Sequence, residues 1–184
     1  MQDTELFMSL AEIAGVFVGF GALIAIRGGG ASDEWGVAGI GMVVWGGIQV
    51  VALALAPVAI GRLHVADHAL WVTCSLSFLA VFWVVSEILE RVFPERMAMR
   101  AAWPLKARWR LEIVTLLLLL PMHLALILIL LGVLPDLEAG LYFAALVLLL
   151  LLVTFELLWV VITGGRPHAT PAPSVEAAGP SKMP

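Results

Sequence analysis

The feature that most constrains this chain is a series of apolar blocks, each about twenty residues long, separated by short polar stretches. A helix of that length rises about 30 Å, the thickness of a bilayer's hydrocarbon core. Stretches such as LLLLLPMHLALILILLGVL show no alternation of polar and apolar residues, so they read as helices and not as the wall of a barrel. Composition agrees: 62% of the residues are hydrophobic and 13% charged. A water-soluble globule of this size needs far more polar surface. The expected fold is all-α, a polytopic transmembrane helical bundle of about five spanning helices.

The expected spans are 6–26, 36–60, 69–89, 111–134 and 141–163. A four-span alternative leaves the N-terminal segment re-entrant or along the surface. The first block lacks a basic leading region and reads as a retained helix, not a signal peptide. The segment 91–110 carries Arg91, Arg96, Arg100, Lys106, Arg108 and Arg110 against Glu95, a net charge of 6 − 1 = +5. Basic connections stay on the cytoplasmic side. Alternation then puts the N-terminus outside, with the 61–68 and 135–140 connections, and the C-terminus in the cytoplasm. Residues 164–184 are rich in Pro, Ala, Gly and Ser, a composition of a flexible tail. Helical spans and a basic connection imply a bacterial-type cytoplasmic (inner) membrane.

The first two spans are rich in glycine and the last two in leucine. Small residues let helix backbones approach closely where no hydrophobic drive brings them together. The packing candidates are Gly15 and Gly19 in the first span and Gly39 and Gly46 in the second. The first two spans are therefore expected at the centre of the bundle or at a subunit interface, and the last two at its periphery. Trp45 and Trp83, far from the span ends, are expected between helices. Pro57 and Pro121 lie within spans, and each deprives the carbonyl four residues back, at Leu53 and Leu117, of its donor.

Polar side chains at membrane depth carry the functional argument, because an ionisable group there costs about 2.5–3.5 kcal/mol even on insertion scales. Glu12, Gln49, His123 and Glu156 are the candidates for a pathway or proton relay. Glu12 shares a helical face with Gly15 and Gly19, at steps of three and four. At about 1.5 Å per residue, Glu12 lies outside the midplane and Glu156 inside it, too far apart to share a proton. His123, two residues after Pro121, either relays protons or bonds the carbonyl freed at Leu117. Glu87 and Glu90, at the end of the third span, are candidates for a cytoplasmic mouth, with a solvated helix end as the plainer reading. His64, Asp67 and His68 form an incomplete metal-ligand spacing, His-x-x-Asp-His, that needs water to complete a zinc shell.

No P-loop, HExxH or CxxC pattern is present, and the single cysteine, Cys74, excludes an intrachain disulfide. No cofactor is expected, and nucleic acid is not an expected partner. The expected partners are membrane lipid, further copies of the chain, and a protein partner at the basic 91–110 segment or the tail. Three functions are weighed: an oligomeric proton or cation pathway, channel or simple transporter; a non-conducting scaffold or accessory subunit; and a membrane enzyme acting on lipid. The first suits the membrane-depth acids best, and the enzyme ranks last because no nucleophile–base spacing is evident.

Overall fold

The computed structural model describes residues 2–27, 34–63, 66–92 and 105–163. Within them lie five long helices: α1 (Gln2–Arg27), α2 (Glu34–Gly61), α3 (Asp67–Val92), α4 (Leu105–Leu130) and α5 (Glu138–Thr163), with a short 3-10 turn at Pro135–Leu137. All five are long and apolar enough to cross a membrane. The start of α1, the end of α2, the start of α3, the end of α4 and the start of α5 gather at one end of the bundle. This follows from the contacts of Phe7 with Trp71 and Tyr142, and of His68 with Gly132 and Glu138.

The helices match the expected spans with shifted ends, most visibly in α4. It starts at Leu105 and not Leu111, because Lys106, Arg108 and Arg110 extend it as an exposed polar turn. It stops at Leu130 and not Leu134. Gly132 adopts φ 61°, a left-handed conformation that costs a glycine little. The Gly132 N–H donates to the Ile129 carbonyl at 3.0 Å and the Val133 N–H to the Leu128 carbonyl at 3.3 Å. That pair of bonds is the Schellman stop, which satisfies carbonyls the helix would otherwise orphan.

The second and fifth spans are the most enclosed, with 39% of their residues buried, against 28% for the first and 22% for the third and fourth. The fifth helix, expected at the periphery from its leucine content, is therefore central and packs against the other four. Its inward face carries Tyr142, Ala145, Leu146, Leu149 and Val153, at steps of three and four. Leucine content misled the expectation because leucine packs as well against another helix as against lipid. Trp45 and Trp83 are also corrected: they are 50% and 61% exposed. Both lie on the outer surface of the single chain, as do Leu116, Leu117, Leu120 and Leu124 of α4. A surface this apolar suits lipid.

Close helix contacts use glycines, but not all of the expected ones. A Cβ on Gly46 would come within 2.7 Å of Val153 of α5, and one on Gly47 would overlap Val18 of α1. Gly21 faces Val43 at ordinary contact distance. Gly46 thus seats α5 on α2, and Gly47 seats α1 on α2. Gly15 and Gly19 have nothing near them among the described residues. The surroundings of Gly39 lie outside the described residues.

Tyr142 ties the core together. Its ring meets Phe7 of α1, Trp71 and Phe78 of α3 at centroid distances of 5.8–6.0 Å. Its hydroxyl donates to the Leu53 carbonyl of α2 at 2.9 Å. That carbonyl is the one Pro57 leaves without a backbone donor. The proline's defect and the tyrosine's polar tip satisfy each other in a site where neither meets solvent.

Two outcomes check this packing. Tyr142→Phe is expected to destabilise the bundle by about 1–2 kcal/mol in reversible detergent unfolding. The cost shrinks in a Pro57→Ala background, where residue 57 supplies its own N–H, and a double-mutant cycle measures the difference. Gly47→Ala is expected to cost about 1–3 kcal/mol by overpacking, whereas Gly15→Ala leaves the stability of the single chain unchanged.

Candidate functional site

None of the described cavities is lined by more than one of the polar candidates. Glu12 is exposed on α1, on the side turned away from the buried Ala11 and Ala14. It stands about 15 Å along the helix from Gln2 and about 22 Å from Arg27, so it is well inside the span. No other described group of the chain pairs with it. Gly15 and Gly19 continue the same open face. Of the two expected places for this face, the bundle centre and a subunit interface, the described residues do not supply the first. The structure packs α1 through Ala11, Ala14 and Val18 instead.

Gln49 is buried, and its amide nitrogen has no hydrogen-bond partner among the described residues. Ser75 Oγ on α3 is orphaned in the same way. Unpaired polar atoms are rare in low-dielectric surroundings because each forfeits about 1–3 kcal/mol of solvation. Two other hydroxyls in the spans are satisfied locally: Thr73 Oγ1 donates to the Ala69 carbonyl at 2.7 Å and Thr154 Oγ1 to the Leu150 carbonyl at 2.8 Å.

His123 is half-buried against the rings of Phe82 and Trp83, at centroid distances of 5.6 and 5.8 Å. Its Nδ1–H donates to the Leu119 carbonyl at 2.8 Å, while Nε2 is buried without a partner. The expected bond to the Leu117 carbonyl is not made. A helical side chain leans back over the turn before its own Cα, which brings it to the carbonyl four residues back and not six. The Glu156 side chain lies outside the described residues, as do His64 and the tail 164–184.

Glu87 and Glu90 are exposed at the end of α3. The Arg91 guanidinium donates to Glu87 Oε1 at 2.8 and 2.9 Å, one helical turn away. At the neighbouring start of α4, Arg108 donates to Glu112 at 2.7 Å. Exposed pairs of this spacing add a few tenths of a kcal/mol. They match Glu87 and Glu112 to bases at this end of the bundle.

The opposite end holds a polar contact that sequence reasoning missed. Glu138, the first residue of α5, is buried at 3% exposure, and His68 Nδ1–H donates to its Oε1 at 2.5 Å. The His68 ring also lies over Gly132, where a Cβ would come within 3.3 Å of it. One imidazole therefore bridges the start of α3, the stop of α4 and the start of α5. The legible signal was spacing: Glu138 and Tyr142 stand one turn apart on the same face, and Tyr142 is the only tyrosine in the chain. Among the described residues, no three histidine, cysteine or acidic side chains come together to hold a metal. His68 spends its Nδ1 on Glu138 and not on a ligand set with Asp67.

His68→Ala strands the buried Glu138 carboxylate and is expected to lower stability by about 1–3 kcal/mol. Glu138→Gln keeps an oxygen acceptor for the imidazole and should cost less. Detergent unfolding of both variants checks the order.

No family model, no curated protein and no solved structure matches the chain, so its function is argued from geometry alone.

Proposed function

We propose that the chain is one subunit of a small homo-oligomeric proton or cation pathway in a bacterial-type cytoplasmic membrane, with α1 lining the contact between copies. The observation that carries this reading is the position of Glu12. It sits within a membrane-length helix, on an exposed face, beside two glycines that no described residue covers. A carboxylate facing lipid costs several kcal/mol. Glycines facing lipid forgo the close packing that small residues permit. A second copy on this face removes both penalties. It also brings the Glu12 carboxyls of neighbouring subunits together into a ring that attracts protons or cations.

The charge distribution supports an N-terminus outside and a cytoplasmic 91–110 segment. Arg91, Lys106, Arg108 and Arg110 belong to one end of the bundle, and Arg27 ends α1 on the same side. The other end carries Arg62 among the described residues. Gln49 and His123, each with a buried polar atom lacking a partner, are the proposed relay groups inside the subunit, with Glu156 toward the cytoplasm.

Flux from liposomes loaded with pH- and cation-sensitive dyes tests this under an imposed potential. Parent protein is expected to exceed empty vesicles. Glu12→Gln is expected to lower the rate at least about ten-fold, the factor carried by 1.4 kcal/mol of barrier. Gly15→Leu and Gly19→Leu should shift the cross-linked species toward monomer without changing the helix content. If folded protein inserted in both orientations carries no ion, the pathway is wrong. The same α1 face then belongs to a scaffold or accessory subunit.

A further inference from the structure

Lys106, Arg110, Ile113, Leu117, Leu120 and Leu124 follow one another along α4 at steps of four and three, so they form one stripe of the helix. All six are exposed. Trp109 flanks the two cations and is exposed as well, with no ring packed against it among the described residues. Neither Lys106 nor Arg110 has an ion pair or hydrogen bond among the described residues. The base between them differs. Arg108 stands two residues from each, about 200° around the helix, and spends its guanidinium on Glu112. We propose that this stripe binds an anionic phospholipid, with the phosphate between Lys106 and Arg110 and an acyl chain along Ile113, Leu117, Leu120 and Leu124, independently of the oligomer contact on α1.

Charge on the stripe sets the headgroup. Residues one turn apart have Cβ atoms about 5–6 Å apart, so the two cations can close on a single phosphodiester. Arg110 presents planar N–H donors suited to a phosphate, and Lys106 a compact charge. No acid lies on the stripe. Glu112, the one acid of α4, is about 200° around the helix from Arg110 and already paired. A zwitterionic headgroup would therefore bring its ammonium beside two like charges with no carboxylate to meet it. The depth fits a lipid. Trp109 marks the interfacial layer in which tryptophans collect. From Ile113 to Leu124 the helix rises about 16 Å, close to half of a hydrocarbon core about 30 Å thick. That is the reach of an acyl chain in one leaflet. The stripe carries none of the small residues that let a second helix approach closely, so it suits lipid better than a second copy of the chain.

The full-length chain in detergent, titrated separately with short-chain phosphatidylglycerol and phosphatidylcholine, gives the measurement, with bound lipid counted by native mass spectrometry. Phosphatidylglycerol is expected to be retained at a concentration at least about ten-fold lower, equivalent to about 1.4 kcal/mol. Arg110→Gln is expected to remove most of that preference, and Lys106→Gln combined with it the rest. Arg108→Gln removes one positive charge from the same turn but from the opposite face, and is expected to keep the preference. All three side chains are exposed, so the variants should keep the parent's helix content. Equal retention of the two lipids by the parent overturns the proposal. So does an equal loss in Arg108→Gln and Arg110→Gln, because a diffuse positive field and not the stripe would then hold the lipid. Displacement of the lipid by free glycerol phosphate at matching concentration overturns the lipid as occupant and makes the site one for a soluble phosphate.

Discussion

A backbone carbonyl without a donor is costly away from water, and the helices of the bundle converge on the one at Leu53. Pro57 removes the N–H that would have reached it, and Tyr142 of the fifth helix replaces that donor with its hydroxyl. To make this bond the fifth helix must run beside the second, with its tyrosine turned fully inward. The tyrosine ring then has to be covered, and Phe7, Trp71 and Phe78 cover it from the first and third helices. One hydrogen bond thus fixes the rotation of one helix and, through an aromatic cluster, the placement of two more.

Around that contact, the glycines act selectively. Gly46 and Gly47 are consecutive and point to different neighbours, so the second helix is approached closely by the fifth on one side and the first on the other. Steric room at two adjacent residues makes this helix a hub. Gly15 and Gly19 are glycines too, with no partner among the described residues. The difference lies in what stands across from them. The first helix meets the second through Ala14 and Val18, which leaves the Glu12 side facing outward.

The two ends of the bundle use charge differently. At the end with the basic segment, acids and bases pair one turn apart on the same helix, as Glu87 with Arg91 and Glu112 with Arg108. Such pairs are local and add little to tertiary structure. At the other end, His68 and Glu138 are seventy residues apart in sequence, and their contact joins three helix termini around the glycine that stops α4. A buried carboxylate needs such a partner. Tertiary order at this end therefore depends on a side-chain pair whose partners lie far apart in sequence.

The sequence by itself determined that the chain forms five long apolar helices, and roughly where they lie. Those properties follow from hydropathy and length, which are local. It also marked the defects, since a proline inside a span names the carbonyl it orphans, and a glutamate inside a span names a group that needs company. It did not reveal what answers them. Leucine content pointed the fifth helix outward, and glycine content pointed Gly15 and Gly19 to the bundle centre or a subunit interface. The first reading failed, and the bundle-centre half of the second finds no contact among the described residues, because, where lipid and protein interior are equally apolar, composition does not distinguish a lipid-facing side from a packed one. Only the tertiary structure decided that Tyr142 answers Pro57, that His68 answers Glu138, and that Glu12 has no partner among the described residues. These are matters of distance between helices, set by shape and polar complementarity across residues far apart in sequence.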